Sequence, residues 1–257
     1  PIRPSAASPP ADARAPALKL PALHAGRFLA RPNRFVAEIE LAGGQRVDAH
    51  VPNTGTLLSC WRPGAPVQLS QADNPRRKLR WTLERVDMGG GWVGVNTQRP
   101  NQVMAEGIAA GRISALAGYG RLRREVAFAA DGGEAGRIDI ALDEGSRPAA
   151  LVEVKNVTLL DGPHLRFPDA KSERGRKHLA LLSAAVAGGR RGVMLFALNR
   201  AEGERFAPAW DIDPAYGEAL LAAAAAGVEL LAVRMVHGCD GITVGDAVAL
   251  DLARPRI

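Results

Sequence analysis

Three polar residues in the middle of the chain have the types and spacing of a metal-dependent hydrolytic site. Asp139 lies in one short segment, and Glu153 and Lys155 lie in the next. Two carboxylates supply the hard oxygen ligands that Mg²⁺ prefers and leave coordination positions for water and a phosphate oxygen. A lysine beside such an ion would orient the attacking water or stabilise charge on the phosphate. The sequence therefore predicts a candidate site for phosphodiester hydrolysis.

A strand with alternating character would carry Asp139. Residues 137–142 alternate polar and apolar side chains, which predicts a β-strand. Its apolar side chains would share one face, and Asp139 would project from the other. The apolar set is Ile138, Ile140 and Leu142.

A polar turn and a second apolar segment, residues 149–154, complete a predicted hairpin. Glu153 and Lys155 are two residues apart, so both would project from one face of the second strand. Pairing of the strands would bring Asp139 near Glu153. The alternative is that Glu153 and Lys155 form a weak ion pair on a solvated face.

The composition indicates a globular protein with a basic surface. Hydrophobic residues make up 47% of the 257 residues, which is enough for buried cores, and the net charge of +6 favours a polyanionic partner such as nucleic acid. Cys60 and Cys239 are far apart and form neither a metal-knuckle spacing nor a disulfide framework. No signal peptide or membrane span is evident. We expect a cytoplasmic protein.

The chain divides into a tail and two domains. Residues 1–17 are rich in Pro and Ala and are predicted to be disordered. Residues 18–98 contain many short alternating strands with Gly-rich turns, which predicts a small β-barrel. Residues 99–257 alternate helices and strands, including a strongly apolar central strand, which predicts a sheet covered by helices.

Two loops of the predicted barrel are candidates for nucleic-acid contact. In the PNTGT segment, residues 52–56, Asn53 and Thr54 offer hydrogen-bonding groups beside a glycine that would allow close approach; the alternative is an ordinary turn. The second loop, residues 73–81, places cations beside an aromatic ring, as in contacts to nucleic-acid backbones and bases. The alternative is a solvated loop with the ring buried. Its candidate residues are Arg76, Arg77, Lys78, Arg80 and Trp81.

The second domain offers further candidates on two predicted helices. Glu106, on a helix spanning residues 101–110, could reach the metal site or could be an ordinary surface carboxylate. A helix predicted from residue 169 to residue 187 begins with a cationic half, which could grip phosphates or be stabilised by ion pairs within the helix. Its candidate residues are Lys171, Arg174, Lys177 and His178.

Several motifs together resemble the sugar fermentation stimulation protein A family. In chain order they are PNTGT, DNPRRKL, GVNT, RREV, RIDI, VEVKNVTL, FPDA and ERGRKHL. The resemblance implies a two-domain α+β protein, with an N-terminal OB-like barrel (18–98) and a C-terminal α/β domain similar to the PD-(D/E)XK nucleases with a mixed sheet (99–257). It also implies DNA binding, a bacterial or archaeal cytoplasmic setting and a regulatory link to sugar metabolism.

The resemblance also assigns residues. Asp139, Glu153 and Lys155 fall on the nuclease triad, with Glu106 as the candidate helix carboxylate. Asp139 and Glu153 would hold Mg²⁺ or Mn²⁺, the carbonyl of Val154 would complete the site, and Lys155 would position the attacking water. Ile138 stands where the motif name has proline.

Three functions are compatible with these residues. The first is a DNA-binding protein that hydrolyses single- or double-stranded DNA with little sequence specificity. The second is a non-catalytic DNA-binding regulator of genes for sugar metabolism of the maltose type. The third is a small-ligand sensor that uses the barrel around Asn53. The sequence is compatible with a homodimer and leaves strand preference open.

Overall fold

The computed structural model describes residues 18–53, 55–130, 133 and 135–255. The predicted disordered tail, residues 1–17, and the candidate residue Thr54 lie outside these described residues. No helix in the described ranges is long and apolar enough to cross a membrane. The strands of the N-terminal part are β1 (Leu18–Lys19), β2 (Leu23–Asn33), β3 (Val36–Leu41), β4 (Arg46–His50), β5 (Pro66–Gln71), β6 (Trp81–Asp87) and β7 (Trp92–Gly94).

Strands β2 to β6 form a closed five-stranded barrel. They pair in the order β4-β3-β2-β5-β6, and a short parallel pairing of β4 with β6 closes the barrel, while β7 extends β6. Alternation places one face of each strand inside, where Phe28, Ile39, Leu69 and Leu83 are fully buried. The predicted barrel is confirmed.

The second part of the chain forms a mixed sheet with helices on both faces. Its elements are α1 (Arg99–Ala109), β8 (Tyr119–Ala129), β9 (Ala135–Gly145), β10 (Ala150–Val157), β11 (Leu159–Asp161), β12 (His164–Phe167), α2 (Glu173–Ala187), β13 (Arg191–Leu198), β14 (Arg205–Pro208), α3 (Pro214–Ala225), β15 (Glu229–His237), β16 (Gly241–Ala247) and β17 (Ala249–Leu250). The seven-stranded sheet has the order β1-β16-β15-β13-β10-β9-β8, with β10, β13 and β15 parallel. This confirms the predicted two-domain fold class.

Two apolar clusters hold the helices against the large sheet. Helix α1 packs on one face, where Met104 and Val152 are buried in the same cluster. Helices α2 and α3 cover the other face together with a small sheet of order β11-β12-β14-β17, and Leu182, Phe196 and Tyr216 are buried there. Burial on both faces explains why β13 reads as a continuous apolar run.

Three predicted details differ from the structure. Leu18–Lys19 falls within the range predicted for the barrel but pairs with β16 at the edge of the large sheet, because Leu18 and Leu20 are buried in the α1 cluster. Helix α2 begins at Glu173 rather than at residue 169, because the Ser172 side chain caps it by accepting a hydrogen bond from the Gly175 N–H. Helix α1 spans Arg99–Ala109 rather than residues 101–110.

Polar contacts join the two domains along an interdomain seam, which we define by Arg200, Arg85 and the groups they bind. Arg200 is 2% exposed and donates hydrogen bonds to the carbonyl oxygens of Ser59 in the barrel domain and Thr158 in the sheet domain. From the barrel, Arg85 donates to the carbonyl oxygen of Gly238. The seam fixes the barrel beside the carboxyl-terminal ends of β10 and β13.

Candidate active site

Strands β9 and β10 separate at the position of the predicted carboxylates. Their antiparallel pairing ends at Ile140 and Val152, one position before Asp139 and Glu153 would face each other. The freed backbone N–H of Val154 donates a hydrogen bond of 2.8 Å to Asp139 Oδ2. The Asp139 carboxylate therefore occupies the gap between the strands.

The alternation of β9 also breaks at this position. Ile140 belongs to the cluster under α1, whereas Ile138 belongs to the cluster under α2. Our prediction that Ile138 shares a face with Ile140 and Leu142 is therefore wrong. In the pairing of β8 with β9, Glu125 falls opposite Asp139, and Glu125 has a positive φ of 53°. A non-glycine residue in this conformation inside a strand is uncommon and marks a local constraint.

Asp139 is in an environment that disfavours its charge. Burial, followed by the negative charge of Glu153, raises the pKa of Asp139 to about 6, and Glu125 adds to this effect. The N–H of Val154 acts in the opposite direction. Asn101 of α1 donates a 2.6 Å hydrogen bond to Asp139 Oδ1 and so fixes the carboxylate.

Glu153 is almost fully buried, with 2% of its side chain exposed. Lys155 Nζ lies 2.5 Å from Glu153 Oε1, and His178 Nδ1 contacts the same oxygen. Burial raises the pKa of Glu153, but the hydrogen bond from His178 and the charge of Lys155 outweigh burial, so its pKa lies below the ordinary value. Glu153 Oε2 is buried and has no hydrogen-bond partner among the residues that the structure describes. This oxygen is an acceptor available to a cation.

His178 joins this cluster through α2. The sequence groups it with the phosphate-binding cations, but its ring is buried, and Nδ1 lies 3.0 Å from Lys155 Nζ. One ring nitrogen carries at most one proton. His178 Nδ1 therefore either donates a hydrogen bond to Glu153 Oε1 or accepts one from Lys155 Nζ.

Helix α1 contributes Asn101 to the site, whereas the sequence predicted Glu106. Asn101 contacts Asp139 and lines the cleft, whereas Glu106 accepts a 2.7 Å hydrogen bond from Gln102 on its own helix and is not among the cleft-lining residues. A ligand role for Glu106 stays a prediction. No sequence signal distinguished Asn101, because its partner lies 38 residues away in the chain.

The carboxylates lie in a cleft of about 540 Å³ between the two domains, which we call the interdomain cleft. Arg34, Asn53 and Thr97 line it from the barrel side. Gly55 packs so closely on Asp169 of the sheet domain that a Cβ would collide with that carboxylate. Asn53 of the PNTGT segment is thus at the cleft, and its Oδ1 accepts a hydrogen bond from the Gly55 N–H.

The candidate cations at the start of α2 border two neighbouring concavities. Lys171 and Arg174 line the interdomain cleft at the start of α2. Arg174 also borders a neighbouring depression together with Lys177 and His178. The side chains of Lys171, Arg174 and Lys177 are exposed.

The basic loop between β5 and β6 lies at the other end of the barrel. The strand registers place it beside the turn between β3 and β4, whereas the PNTGT segment leaves β4 at the cleft end. Trp81 packs against the barrel core and edge-on to His24, with ring centroids 4.9 Å apart. Nucleic-acid binding by this loop stays a prediction, and its residues do not line the interdomain cleft. They are Arg76, Arg77, Lys78, Arg80 and Trp81.

The side-chain donors fit a divalent cation only if further ligands that are not side chains complete its coordination. No group of three or more His, Cys, Asp or Glu residues arranged to hold a metal occurs among the described residues. Asp139 and Glu153 provide two carboxylates, and within the described ranges Glu153 Oε2 lacks a hydrogen-bond partner. The remaining oxygen ligands would have to be a backbone carbonyl, as predicted for Val154, and solvent or phosphate.

An OB barrel joined to a restriction-endonuclease-like domain defines the class of protein. Residues 29–95 match the family model "SfsA N-terminal OB domain", and residues 98–240 match "Sugar fermentation stimulation protein RE domain". The chain belongs to the sugar fermentation stimulation protein family, which confirms the resemblance seen in its motifs.

Curated relatives and a solved structure agree with this assignment. A "Sugar fermentation stimulation protein homolog" of Acidithiobacillus ferrooxidans is 47% identical over 91% of this chain and 99% of its own length. The homolog of Geobacter metallireducens is 46% identical over 84% of this chain and 92% of its own. The structure of Pyrococcus furiosus SfsA in complex with Ca²⁺ is similar, with a TM-score of 0.81 and 25% identity, covering 92% of this chain and 99% of that one.

Proposed function

We propose that this protein is a DNA-binding phosphodiesterase that requires a divalent metal and cleaves in the interdomain cleft. One observation carries the proposal: Asp139, Glu153 and Lys155 converge where β9 and β10 separate, and the buried Glu153 Oε2 has no partner in the described part of the chain. A buried acceptor without a partner is costly unless the site has a further occupant. The net charge of +6 supports a polyanionic substrate.

Asp139 and Glu153, with the carbonyl of Val154, would hold Mg²⁺ or Mn²⁺. The solved P. furiosus relative is in complex with Ca²⁺, which supports the binding of a divalent ion by this chain. When bound, such an ion lowers the pKa of water and neutralises charge that develops on the phosphate. The ion would also favour the ionised form of Asp139, whose pKa is otherwise about 6.

Lys155 is the residue that would act on the phosphate or the attacking water. Its ammonium group is held by Glu153 Oε1 and lies beside His178 Nδ1, and 13% of its side chain is exposed toward the cleft. His178 is a positioning residue, because it is buried and fixes the orientation of Glu153 and Lys155. Lys171 and Arg174 would attract the flanking phosphates.

A non-catalytic DNA-binding regulator is the second candidate. Its support is that Glu153 Oε1 is already engaged by both Lys155 and His178, so part of the triad is satisfied within the protein. In that case the carboxylates would serve the fold, and DNA would bind without being cut.

The test is a gel cleavage assay on single-stranded, duplex and supercoiled DNA with Mg²⁺, Mn²⁺ or EDTA. We expect metal-dependent cutting by the wild type and loss on the order of 10²–10⁴-fold in Asp139→Asn and Lys155→Met. Asp143→Asn is a matched control, because Asp143 lies on the same strand but pairs with Arg123. Binding without cleavage under every metal would favour the regulator, and equal loss in Asp143→Asn would remove the assigned roles.

A further inference from the structure

An exposed aromatic side chain is the sequence neighbour of a residue that lines the interdomain cleft. Phe35 is 49% exposed and is the only aromatic among the large hydrophobic side chains that are exposed in the described part of the chain. It lies in the two-residue turn between β2 and β3, next to Arg34, which lines the cleft. The chain contains few aromatic residues, 5% in all, so an exposed one at this position calls for a physical reason.

The backbone holds Phe35 firmly. Its N–H donates to Asn33 Oδ1 at 2.9 Å, and its carbonyl oxygen accepts from the N–H of Val51 at 2.8 Å. Arg31 also stabilises the turn, because its guanidinium donates hydrogen bonds to the carbonyl oxygens of Arg34 and Thr56. The ring is therefore presented from a fixed turn, so little backbone entropy would be lost when a ligand stacks on it.

Cations lie near this ring and along the interdomain cleft. The guanidinium of Arg34 lies 6.0 Å from the centroid of the Phe35 ring. Across the cleft stand Lys171 and Arg174. Arg34, Lys171 and Arg174 form no ion pair within the described ranges, in contrast to Arg166 nearby, which pairs with Asp161. Cations on both walls of the cleft and an exposed ring next to Arg34 match the pattern that binds successive phosphates and a base.

Stacking on a side-chain ring decides which form of nucleic acid Phe35 would bind. A base offers its face to such a ring only where it is not stacked within a duplex, so the bound strand is unpaired at that point. The interdomain cleft, of about 540 Å³, is within the size range of pockets that hold one small ligand. Asp139 and Glu153 line this cleft.

We propose that Phe35 is a base-stacking platform and that, with Arg34, it guides a single-stranded nucleic-acid end into the interdomain cleft. The proposal rests on the proposed function for what happens at Asp139 and Glu153, but stacking and cleavage are separable. The bound species is a single strand whose base stacks on Phe35 and whose phosphates contact Arg34 on one wall and Lys171 or Arg174 on the other.

Binding is measured by fluorescence anisotropy with labelled oligo-dT and oligo-U of 12 nucleotides and with a duplex of equal length, using Ca²⁺ in place of Mg²⁺. We expect Phe35→Ala to weaken single-strand binding about 5- to 100-fold, since base–aromatic stacking has this magnitude. Phe35→Trp should keep the affinity, and duplex binding should change little. Leu221→Ala is the control, because Leu221 is also an exposed apolar side chain, at 40%, but lies on α3.

Two further readouts test the geometry directly. An oligonucleotide with 2-aminopurine placed at successive positions should show quenching at one position, and Phe35→Ala should abolish that quenching. Arg34→Gln should reduce the slope of log affinity against log salt for single strands by about 0.7, as expected for one lost phosphate contact. Comparison of oligo-dT with oligo-U shows whether the 2′-hydroxyl matters.

Failure of this proposal is distinguishable from failure of the proposed function. If Phe35→Ala binds single strands as well as the folded wild type, or weakens single strands and duplex equally, the platform is refuted whether or not the protein cleaves DNA. If the wild type never cleaves DNA but Phe35→Ala selectively loses affinity for single strands, the stacking role of Phe35 is supported and the nuclease hypothesis is refuted.

Discussion

The interdomain seam and the interdomain cleft both bury charged groups between the same two domains, but they satisfy them differently. In the seam, Arg200 donates to two backbone carbonyls and to Glu202. In the cleft, Glu153 Oε2 has no hydrogen-bond partner among the described side chains and backbone groups, and the pKa of Asp139 is raised to about 6. Removing one member of a buried, hydrogen-bonded charge cluster destabilises a fold, whereas a carboxylate with a raised pKa in a cavity indicates a ligand site.

The largest effect on stability should come from the seam. Arg200→Met would leave the carbonyl oxygens of Ser59 and Thr158 and the carboxylate of Glu202 without their donor, so we expect a loss of about 3–5 kcal/mol in the free energy of unfolding. Urea denaturation measures this loss. Arg205→Met, at an exposed arginine, should change stability by less than about 0.5 kcal/mol. An Arg200→Met variant as stable as the wild type would contradict the contrast drawn between the interdomain seam and the interdomain cleft.

In the cleft, removal of a charged group is expected to increase the free energy of unfolding. The pKa of Asp139 is about 6 in the folded protein and about 3.9 when unfolded, so the folded state binds more protons between these values and its charged form is destabilising above pH 6. Asp139→Asn should therefore raise the free energy of unfolding at pH 7.5 without metal by about 2 kcal/mol. The Asn101 amide can turn to accept from the new amide group.

Thermal unfolding from pH 8 to pH 4 in EDTA checks this prediction. The gain should shrink as the pH falls through 6, because protonation relieves the same strain in the wild type. A destabilised Asp139→Asn at pH 7.5 would show that the carboxylate serves the fold, as the regulator hypothesis requires.

His237, beside the seam, should make the protein sensitive to acid. Burial, and then the charge of Arg85, lowers the pKa of His237 to about 3. The unfolded state therefore binds more protons between about pH 6.5 and pH 3, and stability falls with decreasing pH by at most about 1.4 kcal/mol per unit. His237→Gln, which retains a donor for Asn199, should flatten this slope. Parallel pH profiles for the two proteins would refute the assignment.

The smallest effect should come from Glu125. Its charge adds to the effects that raise the pKa of Asp139, so Glu125→Gln should move that pKa downward from about 6. Carbon-13 NMR titration of the Asp139 carboxyl group reports the change. Glu144→Gln is the matched control, because Glu144 also has a positive φ but pairs with Arg121. Equal shifts in both variants would mean that general surface charge is responsible.

The sequence predicted the elements whose signals are local. Side chains alternate along a strand with a period of two residues, so Glu153 and Lys155 had to share a face, and the turn between β9 and β10 brought Asp139 near them. The barrel followed from repeated short strands and glycine turns in the same way. The family motifs then predicted the fold type of both domains.

Other parts of the site depend on contacts between residues distant in the chain. Asn101 and His178 reach the carboxylates only because α1 and α2 pack on opposite faces of one sheet. The basic loop before Trp81 has the composition of a nucleic-acid contact, yet the barrel's orientation places it at the end away from the cleft. Composition shows that a loop is cationic but not which neighbour it will face.

The sequence by itself determined the two domain types, the strands and the spacing of the three triad residues, because these depend on side-chain period and turn chemistry. Only the tertiary structure decided that β9 and β10 separate at Asp139, that Glu153 Oε2 is buried in the interdomain cleft and that Arg34, beside Phe35, lines this cleft. These features depend on contacts between residues that are distant in the chain, and no single segment encodes them.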